Sequence, residues 1–200
     1  MALSISPIKK PGKSFFASIF MGLLALFCLI ADHRSAYAED LSRFFGSFVG
    51  RAIVENLDTG EKQLRDLDIV VSPHQDDGLK IDWVTVGLVD GRRDVPGVKR
   101  WSQTAYFEPS EGAKFLIEVG EGNLFKERSE MEVIKGDPIR WSRIEGDTLH
   151  ACSFVVLEDG RYELQVYQRI LTEVGLEILF ERIVDGEVVR RVTGSAVRAG

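Results

Sequence analysis

His150 and Cys152 stand two residues apart, so in an extended chain both side chains point to the same side. A thiolate beside an imidazole is a nucleophile with its base, and the same two groups are half of a zinc site. Phe154 and Val156 continue that side, which reads Cys152 equally as a small apolar residue packed among them. No third ligand or orienting partner lies at a fixed spacing from the pair. His74-Gln75-Asp76-Asp77 offers a second set of donors. Asp76-Asp77-Gly78 lacks the spaced oxygens of a calcium loop, so a polar turn between two strands accounts for it better. Gly-x-Ser-x-Gly, phosphate-loop and His-Glu-x-x-His patterns are absent. Haem ligation would have to use His74, His150 or a tyrosine, and nothing selects among them. The sequence offers no catalytic residue, no metal site and no identifiable cofactor, and a binding protein is expected ahead of an enzyme.

Residues 90–100 form the longest basic loop of an acidic chain. Arg92 and Arg93 present planar forks to a carboxylate or an acidic partner. A solvated connection held by Pro96 and Gly97 is the plainer account. Trp83, Trp101, Tyr106, Phe115, Trp141, Phe154, Tyr162 and Phe180 are spread over separate apolar runs. Gathered on one inner face, they would line a cavity for a small hydrophobic ligand, with Tyr162 or a Trp orienting it. Ordinary core packing uses the same residues equally well.

The elements that must position these groups are legible from punctuation. Asp58-Thr59-Gly60, Asp90-Gly91, Asp159-Gly160 and Asp185-Gly186 recur at short intervals, and Asp-Gly suits tight hairpins. Between such signals lie runs rich in Val, Ile, Phe, Tyr and Trp. Strands are predicted over 44–56, 63–72, 79–88, 98–108, 114–119, 139–144, 148–157, 161–171, 176–184 and 187–197. In the eighth, Tyr162, Leu164, Val166 and Ile170 share one face, interrupted by Gln168, while Glu163, Gln165, Tyr167 and Arg169 share the other. The fifth repeats the alternation, with Phe115, Ile117 and Val119 opposed to Lys114, Leu116 and Glu118. Only 123–131, with Asn123 as a cap, offers a helical turn, and a loop fits it as well.

About ten strands joined locally strain an open sheet, which closes or splits into two layers. The expectation is an all-β, antiparallel up-and-down barrel of 8–10 strands, greasy inside and wet outside, with a two-sheet sandwich as the alternative. Charges on alternate faces argue against an outer-membrane barrel, whose lipid-facing band is apolar. The first strand opens Phe45-Gly46-Ser47-Phe48-Val49-Gly50. This resembles the Gly-x-Trp motif of calycins, the lipocalin and fatty-acid-binding-protein group, with Phe48 where that group usually has Trp. The resemblance implies a ligand-holding barrel whose aromatic plugs one end beneath an arginine of the last strand. Arg190, Arg191 and Arg198 are the candidates for that arginine.

At the other end of the sequence logic lies segment 1–38. Lys9, Lys10 and Lys13 precede an uncharged apolar stretch over 15–31, and Ala36-Tyr37-Ala38 offers small residues at the cleavage positions. That is the pattern of a secretory signal peptide, leaving 39–200 as one barrel domain in the periplasm or outside the cell. The apolar stretch is marginal for spanning a hydrocarbon core of roughly 30 Å, so cleavage is expected ahead of stable membrane insertion. Of the full chain's 25 Lys+Arg and 31 Asp+Glu, the segment removes four basic residues and one acid, leaving the remainder more acidic. Such a domain repels nucleic acid. Cys152 would be its lone cysteine, so the fold must rest on a core. The functional expectation is a non-enzymatic holder of a small hydrophobic ligand. An envelope interaction protein, such as a protease inhibitor or assembly factor, is the alternative, and a small enzyme or metal binder around His150 and Cys152 the second. Protein recovered from an exporting host should begin at Glu39, which N-terminal sequencing checks.

Overall fold

The computed structural model describes residues 40–75, 77–110, 115–120 and 132–200. The proposed leader 1–38, Asp76 and the stretch 123–131 lie outside them. Ten strands follow one another: β1 (Gly46–Asn56), β2 (Lys62–His74), β3 (Gly78–Gly87), β4 (Arg100–Pro109), β5 (Leu116–Val119), β6 (Ile139–Glu145), β7 (Thr148–Val156), β8 (Tyr162–Leu171), β9 (Gly175–Val184) and β10 (Glu187–Ala199). Every strand expected from the sequence is present, with ends displaced by no more than two residues. Each pairs antiparallel with its chain neighbours, and β10 pairs with β1, so the sheet is a closed up-and-down barrel. The sandwich alternative is thereby excluded. The Asp185-Gly186 turn shows how local chemistry drives this, since its two residues take φ of 49° and 87°, which the primed hairpin turn demands.

One end of the barrel is plugged. Phe44 and Phe48 are fully buried, with Leu41 beside them, held by a short turn in which the Phe44 amide donates to the Leu41 carbonyl. The Arg198 guanidinium lies 4.7 Å over the Phe48 ring. It donates to the Arg43 carbonyl at 3.0 Å and also to the Phe45 carbonyl. Of the three arginines open to that role, Arg198 fills it. The closing seam between β1 and β10 is tight: a Cβ on Gly50 would come within 1.9 Å of the Ser195 carbonyl oxygen. Only glycine permits that approach.

Above the plug, β1 to β3 turn apolar side chains inward, with Ala52, Leu67, Ile69, Val71, Leu79 and Ile81 all buried. On β8 the expectation inverts. Glu163 and Arg169 are buried, whereas Tyr162 is exposed and Leu164, Val166 and Ile170 are only half-buried. The register explains this, because Tyr167 and Arg169 sit opposite the inward Phe180 and Ile178 of β9. β5 inverts likewise, with Leu116 buried and Ile117 on the other face. The barrel is therefore apolar inside along one arc and polar inside along another. Its outer wall carries ion pairs such as Arg51–Asp66, Lys80–Asp82 and Arg191–Glu181.

Replacing Arg198 by Ala should lower unfolding free energy by about 1–2 kcal/mol, since two bonds to carbonyls and the ring contact are lost at a partly exposed site. Lysine should recover only part, because it lacks the planar fork. Urea denaturation of the two variants checks both outcomes.

Candidate cavity and its arginines

Above the plug the interior opens into a cavity of about 830 Å³. Aromatic rings reach in from opposite walls, Trp83 from β3 and Tyr167 and Phe180 from β8 and β9. The Trp83 and Tyr167 ring centroids are 6.0 Å apart, and Tyr167 lies 4.4 Å from Phe180 in a tilted contact. Ala52, Val54, Leu67 and Ile69 supply an apolar arc on β1 and β2, with Ile69 paired beside Trp83, and Gln103 and Gln165 add neutral polar groups.

Arg169 dominates the electrostatics. The residue is 4% exposed, and neither Nε nor Nη1 has a hydrogen-bond partner. Its guanidinium carbon lies 5.8 Å from both the Trp83 and Tyr167 ring centroids, so the ring faces are its nearest compensation. Burial pulls its pKa down to about 10, against a small opposing effect of Tyr167. It remains a cation at neutral pH. A buried, unpaired charge of this kind costs several kcal/mol unless something neutralises it.

Nearer the open end lie Arg65, Arg100, Arg182 and Arg190, with one carboxylate, Glu163, among the cavity-lining residues. Glu163 accepts from Arg182 at 2.5 Å and from Gln165 at 2.6 Å. Burial pushes its carboxyl upward, but those bonds and the charges of Arg182 and Arg190 outweigh it and hold the group below the usual carboxylate range. Arg65 donates through Nε and Nη2 to the Gln63 Oε1, at 3.1 and 2.9 Å, and stacks 4.5 Å over Trp101. Burial and then the nearby charge of Arg190 lower its pKa. Arg190 reaches the interior by ordinary alternation, two residues before the cavity-lining Val192 and opposite Arg182. The register slips only between Val188 and Arg190, so it is Val188, facing Ile183, that departs from that parity.

Of the eight aromatics expected at a binding site, Trp83, Trp101 and Phe180 line the cavity. The other five do not. Tyr106 and Trp141 alternate with the inward Phe107 and Ser142, and Tyr106 packs instead on His74, with centroids 4.9 Å apart. Phe154 stacks on Tyr162 at 6.0 Å, away from the lining, and Phe115 is largely exposed ahead of β5. Tyr167 and the five arginines were missed. Their alternation was visible in the sequence, but polar residues on β8 read as the wet face.

His150 and Cys152 share a face of β7, as their spacing implied, but the face is the outer one. Burial, then Arg143, lowers the His150 pKa against the opposing Glu145 carboxylate, 3.7 Å away. Burial raises the Cys152 thiol, with Arg143 opposing. A neutral imidazole beside a protonated thiol is not an activated nucleophile. Among the described residues no three His, Cys, Asp or Glu side chains gather to hold a metal ion. His74 pairs with Glu108 at 3.4 Å. In the basic loop, Arg92 pairs with Asp94 at 3.1 Å, and Arg93 reaches Asp66 at 3.5 Å and Asp68 at 3.9 Å on the outer wall. Both forks are engaged within the chain, as the plainer account of that loop has it.

No family model and no curated protein matches this chain. Among solved structures it is similar to a redesigned β-barrel, mFAP1, bound to DFHBI. That likeness has 13% identity and a TM-score of 0.31, and covers 80% of this chain and 97% of that one. It is also similar to an S-type phycobiliprotein lyase, CPES, from Guillardia theta, at 10% identity and a TM-score of 0.34, covering 81% and 92%.

Replacing Arg169 by Met should raise the stability of the ligand-free protein by about 1–3 kcal/mol, because an unpaired buried charge gives way to an apolar chain of similar reach. Thermal and urea unfolding of the variant check the sign.

Proposed function

We propose that this protein holds a small amphipathic molecule in its barrel, with an anionic group of that molecule on Arg169, and that it binds rather than transforms it. The unpartnered guanidinium carries the reading. Evolved interiors seldom leave a buried cation unpaired, and a ligand anion would supply the acceptors that the surrounding protein does not. The cavity volume falls in the range of ordinary small-molecule sites, and aromatic walls with a few polar groups are the usual lining. The sequence led to the expectation of a small hydrophobic ligand oriented by one or two polar groups; the inward polar face of β8 favours one with a charged group of its own. The Gly46-Ser47-Phe48 opening under Arg198 supports a calycin-like kinship. The leader pattern in 1–38 supports work in the periplasm or outside the cell.

Decanoate serves as a test ligand, with Trp83 and Trp101 as internal reporters. Decanoate should quench or shift their fluorescence saturably, and 1-decanol should bind more weakly by about tenfold or more, since a charge-assisted pair is lost. In the Arg169→Met protein the preference for decanoate over decanol should vanish. A preference unchanged by that substitution would remove Arg169 from the reading.

A further inference from the structure

The mouth of the cavity holds more positive charge than one anionic group explains. Arg182 is matched by Glu163, whose carboxylate the charge of Arg190 also reaches, but neither Arg65 nor Arg190 forms an ion pair with a carboxylate among the described residues, and each raises the cost of the other. This concentration sits in a chain whose formal net charge is −6. Arg65 is also pre-oriented. Two bonds donated to Gln63 Oε1 and the Trp101 ring fix its plane and leave the Nη1 edge uncommitted. Fixing a cation in advance lowers the entropy lost when an anion docks.

The ladder gives the spacing. Arg169, Ile178, Gly194, Ala52 and Arg65 lie on one continuous line of paired residues across β8, β9, β10, β1 and β2. The same direction of travel leads from the plug residue Phe48 through Ile69 to Trp83 and Gln103 in the cavity wall, so it climbs toward the mouth. Four strand steps of about 4.8 Å, on strands tilted by about 40°, raise Arg65 roughly 12 Å above Arg169 along the barrel axis. Trp83, Tyr167 and Phe180 occupy the span between.

We infer that the ligand is an elongated dianion, with one acidic group seated on Arg169 at the floor, a second between Arg65 and Arg190 at the mouth, and an apolar middle against the aromatic wall. This rests on the reading of the barrel as a ligand holder and adds the class of ligand. Carboxylates, phosphates and sulfates share the required chemistry, and carboxylates make the simplest probe.

Calorimetry at low ionic strength with decanedioate and decanoate, on the full chain, separates the claims. Extended decanedioate spans about the distance between the two sites. It should bind the native protein about tenfold or more tightly than decanoate, an added charge-assisted pair. In Arg65→Gln/Arg190→Gln that advantage, read as the ratio of the two acids' affinities for the same folded variant, should fall to about twofold or less. Equal affinities in the native protein would overturn the dianion while leaving the monoanion reading intact. So would a diacid advantage that survives the double substitution, which would assign the mouth arginines to another partner, such as an acidic protein surface. If neither acid binds the native protein, both readings fall.

Discussion

The pairing of β1 with β10, from Ser47–Ala199 to Asn56–Arg190, is the constraint on which the rest of the molecule depends. Closing the sheet removes its two free edges and forces a common register on all ten strands. Closure divides every strand into an inner and an outer face, and a side chain's fate follows from parity alone. Gly50 and Gly194 are there because the two backbones approach too closely for a side chain, and Arg198 locks the end of the seam over Phe48.

Within that constraint the interior is built in layers. The plugged end is a conventional core, with Phe44, Phe48, Leu79, Leu116, Leu149 and Leu176 almost wholly hidden from solvent. Toward the open end the side chains no longer fill the space, and polar groups replace aliphatic ones. A cavity with five arginines against one glutamate is a poor core and a good receptor. In the proposed ligand holder an arriving anion offsets the cost that burying Arg169 places on the ligand-free protein, the usual trade between stability and function. The exterior bears the complementary compromise, since apolar residues of β7 and β8 displaced from the interior lie half-covered on the outer wall.

Much of the fold was readable in advance. Asp-Gly turns punctuated the chain, period-two alternation marked the strands, and local connections implied a meander that must close. Trp83, Trp101 and Phe180 were found by the reasoning that large aromatics line a pocket. Tyr106, Trp141 and Phe154 failed the same reasoning because alternation gives two faces without saying which is inside. On β1 to β3 hydrophobicity answered that question correctly; on β8 it answered it wrongly, because the inward face there is the one that meets a polar cavity.

The amino-acid sequence alone determined where the strands and turns fall, since these depend on local φ preferences and side-chain alternation; the plug was implied only by the calycin resemblance, and the structure chose Arg198 from three arginines. Tertiary structure decided the site. Which parity faces inward is set by the closing register of all ten strands together, and on β10 that parity carries Arg190 inward with Val192. Arg169 acquires meaning only when distant strands deny it both water and a carboxylate, and no segment of chain encodes that by itself.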